Sequence, residues 1–288
     1  DLRMSRGLGD VYKRQVYDIP EPFDCCGLTH TEKIGAAIIA DGVDAVIVAS
    51  RNNLRLGASQ IKLMAGGGVS SLYDQLEDVQ YFEDELHAAV MAAEDAGTYV
   101  MVHVYVPEAI RRAIRAGVKS IEHGQLIDEP TMKLIAEKGV WLSMQPFIGE
   151  GNNHYTNPVQ QAKHELVVQG TDRAYQLAKK YGVKLAWGTD LLFSPANARN
   201  QNLNIEKMTR WFSNFEILKM ITHDNAELLA LSGRRNPYPG KLGVIEEGAL
   251  ADLIVVDGNA LEDIKVLTDP GKNMLLIMKD GKIYKNDL

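Results

Sequence analysis

Five times between Gln60 and Asp190 a short apolar run gives way to a segment of helical period. The runs are Gln60–Ala65, Tyr99–Tyr105, Val118–Glu122, Val140–Met144 and Val183–Thr189. Such alternation specifies a parallel sheet covered by helices. A doubly wound sheet and a (β/α)8 barrel both satisfy it. The polar residues select the barrel. Lys62, His103, His123 and Asp190 lie at or near the carboxyl ends of four different runs, and in a barrel those ends converge on one mouth. The expected fold class is α/β, a partial (β/α)8 TIM barrel of about five of eight strand–helix units. About three more strands are then expected in an amino-terminal region that the sequence lacks.

Helix signals fall where this scheme needs them. Ala45–Leu56 is amphipathic and ends at Gly57, and Glu83–Ala96 opens on acids and stops at Gly97. Pro107 starts a helix that closes at Gly117; Thr131–Lys138 stops at Gly139. A loop through Asn157 leads into a helix reaching Tyr181, and helices fill Ile205–Leu231. Beyond Asn236 the pattern changes to short strands, Leu242–Glu246, Asp252–Val256, Met274–Met278 and Lys282–Tyr284, with an Asp280-Gly281 turn. The expected division is a barrel over 16–235 and a small β unit over 236–288. Asp1–Gln15 has no hydrophobic period and no continuity with Val16 onward, so it is expected to be a non-native tail in front of a truncated copy. Pro20–Cys26 reads as a loop.

Composition narrows the function classes. A net charge of -7 without a basic cluster argues against nucleic acid as a partner. No apolar run approaches a membrane span. Cys25 and Cys26 are adjacent, which suits neither a disulfide framework nor a zinc-ligand spacing.

The chemistry gathers at the strand ends. Lys62 sits in an apolar strand before Gly66-Gly67-Gly68, where its ammonium must be paired, exposed or discharged. A neutral lysine amine can capture CO2 as a carbamate, a bidentate oxygen ligand able to bridge two metal ions; a lysine snorkelling to solvent is the simpler reading. Alternation across Tyr99–Tyr105 puts His103 and Tyr105 on one face and three valines on the other. Two histidines, an acid and a carbamylated lysine suit zinc or a similar divalent ion. Asp190 could ligate such an ion and accept a proton, or cap a helix. Tyr105 could donate a hydrogen bond to substrate, or merely pack. Glu122, beside His123 on the opposite face, is expected to support or to pack on helices rather than ligate. The glycine turn offers only a weak phosphate signal, with no P-loop lysine after it. His30, His87, His154, His164 and His223 have no partner at ligand spacing.

The ordered motifs IKLMAGGGVSS, VHVYVPEAI, SIEHG and WGTD, followed by GVIEEGALADLIVVDGNALEDI, resemble the amidohydrolase superfamily, in particular its imidazolonepropionase-related, Xaa-Pro dipeptidase-like group. The resemblance implies that Lys62 is the carboxylated lysine bridging two Zn2+ in the complete protein. It implies that His103 and His123 ligate the second metal, and that Asp190 ligates the first and shuttles the proton. Tyr105, in an H-x-Y pattern, would contact the substrate, and the terminal strands would form part of a small β-sandwich. The family's H-x-H pair, which completes the first metal site, occurs nowhere in this sequence.

The resemblance thus implies a metal-dependent hydrolase of C–N amide bonds in dipeptides or short peptides, using metal-activated hydroxide. This chain alone is expected to be inactive. Cyclic-amide hydrolysis or deamination is the alternative within the superfamily, and a non-catalytic remnant lacking the H-x-H ligands is the alternative outside it. The expected partner is a small peptide, and a homo-oligomer is compatible with the sequence. Cytoplasm and periplasm both remain open.

Overall fold

The computed structural model describes residues 8–12, 30–149, 155–191 and 195–288. The expected loop at Pro20–Cys26, both cysteines and His154 lie outside them, as does most of Asp1–Gln15. The described part of that expected tail is a strand, β1 (Leu8–Tyr12). It pairs in parallel with β2 (Ile38–Ile39) on one side and β3 (Gln60–Met64) on the other.

Two compact units divide the chain. The first comprises residues 1–143, 153–184 and 231–237. Its sheet continues from β3 through β4 (Val100–Val104) and β5 (Ser120–His123) to β6, which begins at Trp141, and every pairing is parallel. Helices Val43–Arg55, Glu83–Asp95, Pro107–Ala116 and Glu129–Lys138 connect successive strands, and Pro158–Tyr181 follows β6. The fold is therefore α/β with a parallel sheet.

The helix boundaries follow local chemistry. Pro107 occupies the first turn of its helix, and Gly117 ends it in a left-handed conformation, φ 101°. Asp128 caps Glu129–Lys138 by accepting from the Thr131 backbone N–H at 2.9 Å. Ile61, Leu63, Val102, Val104, Ile121 and Leu142 are completely buried, the apolar face against which the connecting helices pack.

The second unit comprises residues 144–152, 185–230 and 238–288. It holds a short strand, β7 (Leu185–Trp187), and a run of short helices that includes a π-turn at Met220–Asp224. An antiparallel sheet joins β8 (Leu253–Val256), β9 (Met274–Lys279) and β10 (Lys282–Asn286) in the order β10-β9-β8. The strand expected over Leu242–Glu246 does not form. Only an isolated bridge, Lys241 to Ala249, remains. Gly243 adopts φ 69°, which breaks an extended run, and a Cβ there would stand 2.7 Å from the Thr222 carbonyl oxygen.

Replacing Asp128 tests the capping argument. Burial pushes its carboxyl up, but Thr131 and the Arg111 guanidinium outweigh that and hold it below its ordinary value. Asp128→Ala is expected to cost about 1 kcal/mol at neutral pH, read as a lower urea midpoint with an unchanged slope. A depressed carboxyl stabilises the fold above its unfolded pKa of about 3.9 and loses that contribution as pH falls further, so the difference between variant and parent should close in acid.

Candidate metal centre

Parallel register decides which side chains share a face. Lys62 aligns with Met101 and Ser120, and Met64 aligns with His103 and Glu122. Residues in register point the same way, so Lys62, His103 and Glu122 occupy one face of the sheet. Lys62 is half-buried and lies in the middle of β3 rather than at its end. It stands two residues, about 7 Å, before the level of His103, a step that a lysine's four-carbon stem can cover.

His123 should face the other way. Its register partner is Val104, on the apolar face. Its backbone is left-handed, however, with φ 80°. This turns the imidazole onto the face that carries His103: the two rings are 4.3 Å apart between centroids and nearly perpendicular. Tyr105 completes the cluster, 5.2 Å from His103 and 5.0 Å from His123. All three side chains are buried. A non-glycine residue in this conformation is costly and marks a place where the surroundings impose it. Gly124 continues the turn at φ 71°, and a Cβ there would meet Leu142 Cδ1 at 2.8 Å.

Glu122 shares the His103 face, opposite the apolar face of the sheet, and accepts from Ser120 Oγ at 2.6 Å. It also adds to the burial that raises the Tyr99 hydroxyl above its ordinary pKa.

His103 Nε2 lies 3.0 Å from the carbonyl oxygen of Gly67. That oxygen can only accept, so Nε2 carries a hydrogen, and in the neutral ring the lone pair is on Nδ1. A ligating histidine characteristically donates its other N–H to such an oxygen. A buried imidazole so held, with a second imidazole at 4.3 Å, fits a divalent ion. The glycine turn itself does not fit a phosphate, because the Gly68 N–H donates to the Asp74 carboxylate at 3.3 Å.

Asp190 belongs to the second unit, where its exposed side chain sits on a left-handed backbone, φ 50°. Asn225 anchors the strand leading to it. Its Oδ1 accepts from the Trp187 N–H, and its Nδ2 donates to the Trp187 carbonyl, each at 2.9 Å. Sequence reasoning missed Asn225, since nothing local links it to β7. It also passed over His223, which with Asp224 and Glu227 brings ligand atoms within 4.8 Å of one another. Asp224 there already pairs with Lys219.

The described sheet is parallel, its strands are joined by helices, and two buried imidazoles stand at the ends of adjacent strands. The chain belongs to the amidohydrolase family, whose model matches residues 6–284. The ochratoxinase of Aspergillus niger is 35% identical over 255 residues, 87% of this chain and 51% of the relative. A prolidase crystallised with N-methylphosphonate-L-proline is 37% identical, with a TM-score of 0.80 over 95% of this chain and 65% of that one. A Xaa-Pro dipeptidase with methionine bound in its active site is 32% identical, with a TM-score of 0.75 over 86% and 60%. The chain spans about half the length of the curated relatives it matches.

Asn225→Leu leaves both Trp187 backbone groups without their partner. The expected cost is about 1–3 kcal/mol per group left buried and unsatisfied, with faster amide exchange at Thr189 and Asp190. Unchanged exchange there would mean that Asn225 does not hold the strand end.

Proposed function

We propose that the protein is a metal-dependent amide hydrolase acting on dipeptides or short peptides of the Xaa-Pro type. The observation that carries this reading is the buried His103–His123–Tyr105 cluster, with Lys62 on the same face of adjacent strands. Similarity to a prolidase, a Xaa-Pro dipeptidase and an ochratoxinase supports hydrolysis of an amide. The amidohydrolase family generally binds divalent metals.

In this reading the parallel sheet is part of a TIM barrel, and residues 236–288 contribute to a small β-sandwich. His103 and His123 hold one divalent ion, zinc in the first instance. Lys62, as its CO2-derived carbamate, would supply oxygen donors to a divalent ion, and Asp190 would be a further carboxylate donor. The chemistry that such an ion would supply is a bound water of lowered pKa and a polarised scissile carbonyl. Asp190 takes the proton of the attacking water and returns it to the leaving amine. Tyr105 points its hydroxyl at the substrate carboxylate or carbonyl, and the aromatic cluster keeps bulk water from the reacting bond. The sequence contains no H-x-H pair, so in this reading the donors named here suffice for fewer than two complete ion sites.

The test compares this chain with an upstream-extended protein, each refolded with zinc and bicarbonate. Two ions per extended chain and cleavage of a Xaa-Pro panel are expected. Lys62→Ala or His103→Ala should abolish turnover, and the 288-residue chain should bind less metal and cleave nothing. An extended protein that takes up no metal and cleaves no peptide would overturn the reading.

A further inference from the structure

Lys163 projects from the helix Pro158–Tyr181 beneath the loop that follows β3, with its side chain only 5% exposed. Its ammonium donates to the carbonyl oxygens of Gly68 at 3.2 Å, Ser71 at 2.8 Å and Asp74, and lies 3.4 Å from Asp74 Oδ1. The Asp74 side chain is completely buried. Its Oδ1 accepts from the Gly68 N–H at 3.3 Å, and its Oδ2 accepts from Gln80 Nε2 at 3.3 Å.

The Gly68 N–H and the Gly67 carbonyl are the two ends of one planar peptide group. The carbonyl end accepts from His103 Nε2 at 3.0 Å. A continuous chain therefore runs from the Lys163 ammonium through the Asp74 carboxylate and a single peptide plane to the imidazole. We propose that Lys163 and Asp74 are positioning residues that fix the Gly67–Gly68 peptide, and through it hold His103 as the Nε2–H tautomer, with its Nδ1 lone pair presented to a divalent ion.

Two features support this reading. With glycine on both sides, the peptide can rotate at little steric cost, so its orientation has to be imposed from outside. A rotated peptide would turn its N–H towards His103 and select the other tautomer. Gly67 is also fixed by space, since a Cβ there would stand 1.8 Å from the Gln75 carbonyl oxygen.

Stability is a poor explanation for the pair. Burial pushes the Asp74 carboxyl above its ordinary value, despite the Gly68 and Ser71 hydrogen bonds and the Lys163 charge. Buried ion pairs of this sort are often matched by apolar residues of the same volume, and their best-attested use is to specify an arrangement. The same helix face approaches the His123 turn two turns later, where a Cβ on Gly170 would come within 2.3 Å of the Gln125 carbonyl oxygen.

The inference rests on the proposed function only for its purpose; the tautomer is measured without metal or substrate. The 288-residue chain, labelled with 15N-histidine, is examined by long-range 1H–15N correlation above the imidazole pKa, and His103→Asn assigns the signal. The parent should show Nε2–H at His103 in more than roughly nine molecules in ten. Lys163→Met should raise the Nδ1–H share about fivefold, the effect of one ordinary hydrogen bond, and leave His87 and His223 unchanged. Lys163→Arg should restore the parent pattern in part. If Lys163→Met loses its near-ultraviolet dichroism, the isosteric Asp74→Asn is read in its place, with the same redistribution expected. A parent His103 in the Nδ1–H form, or a folded variant with the parent tautomer ratio, would overturn the proposal.

Discussion

Parallel pairing of β3, β4 and β5 in a single register governs the first unit. Because Met64, His103 and Glu122 stand level, the chemistry of three consecutive strands is delivered to one face at one height. The opposite face, from Ile61 to Leu142, is wholly apolar and buried, so a slip of one residue would place His103 among valines. That penalty makes the register rigid, and the rigid register lets two imidazoles sit 4.3 Å apart without a loop to carry either one.

The exception to the register produces the site. Strict alternation would bury the His123 ring on the apolar side. The left-handed backbone at His123, followed by a left-handed Gly124, turns it across the sheet end. Asp190, the other candidate ligand that ends a strand run, has the same kind of backbone. Local strain of this sort costs of order 1–3 kcal/mol per residue and persists where the surroundings over-determine it. Around His103 the surroundings include a buried lysine and a buried aspartate bound to the loop that the imidazole touches.

Legibility in the sequence followed the range of each interaction. Tyr99–Tyr105 announced its two faces because alternation is local, and Pro107, Gly117 and Gly139 marked helix ends because caps are local. The left-handed turn at His123 was invisible, since only the following glycine hints at it. The Lys163–Asp74 pair joins residues 89 apart, with no pattern around either to announce the contact. Leu242–Glu246 reads as a strand by composition, yet Gly243 sits against the Thr222 backbone, a constraint no local window contains. Leu8–Tyr12 shows no period, and it pairs with β3 all the same.

In the proposed centre His103 and His123 hold a divalent ion, with Lys62 beside them. Anomalous diffraction at the zinc edge, from crystals grown with zinc and bicarbonate, tests it most directly. A zinc peak is expected about 2.0–2.1 Å from one ring nitrogen of each histidine, on Nδ1 at His103, with density extending Lys62 Nζ towards it. Zinc bound only elsewhere, for instance by His223, Asp224 and Glu227, with nothing between the two imidazoles, would contradict it.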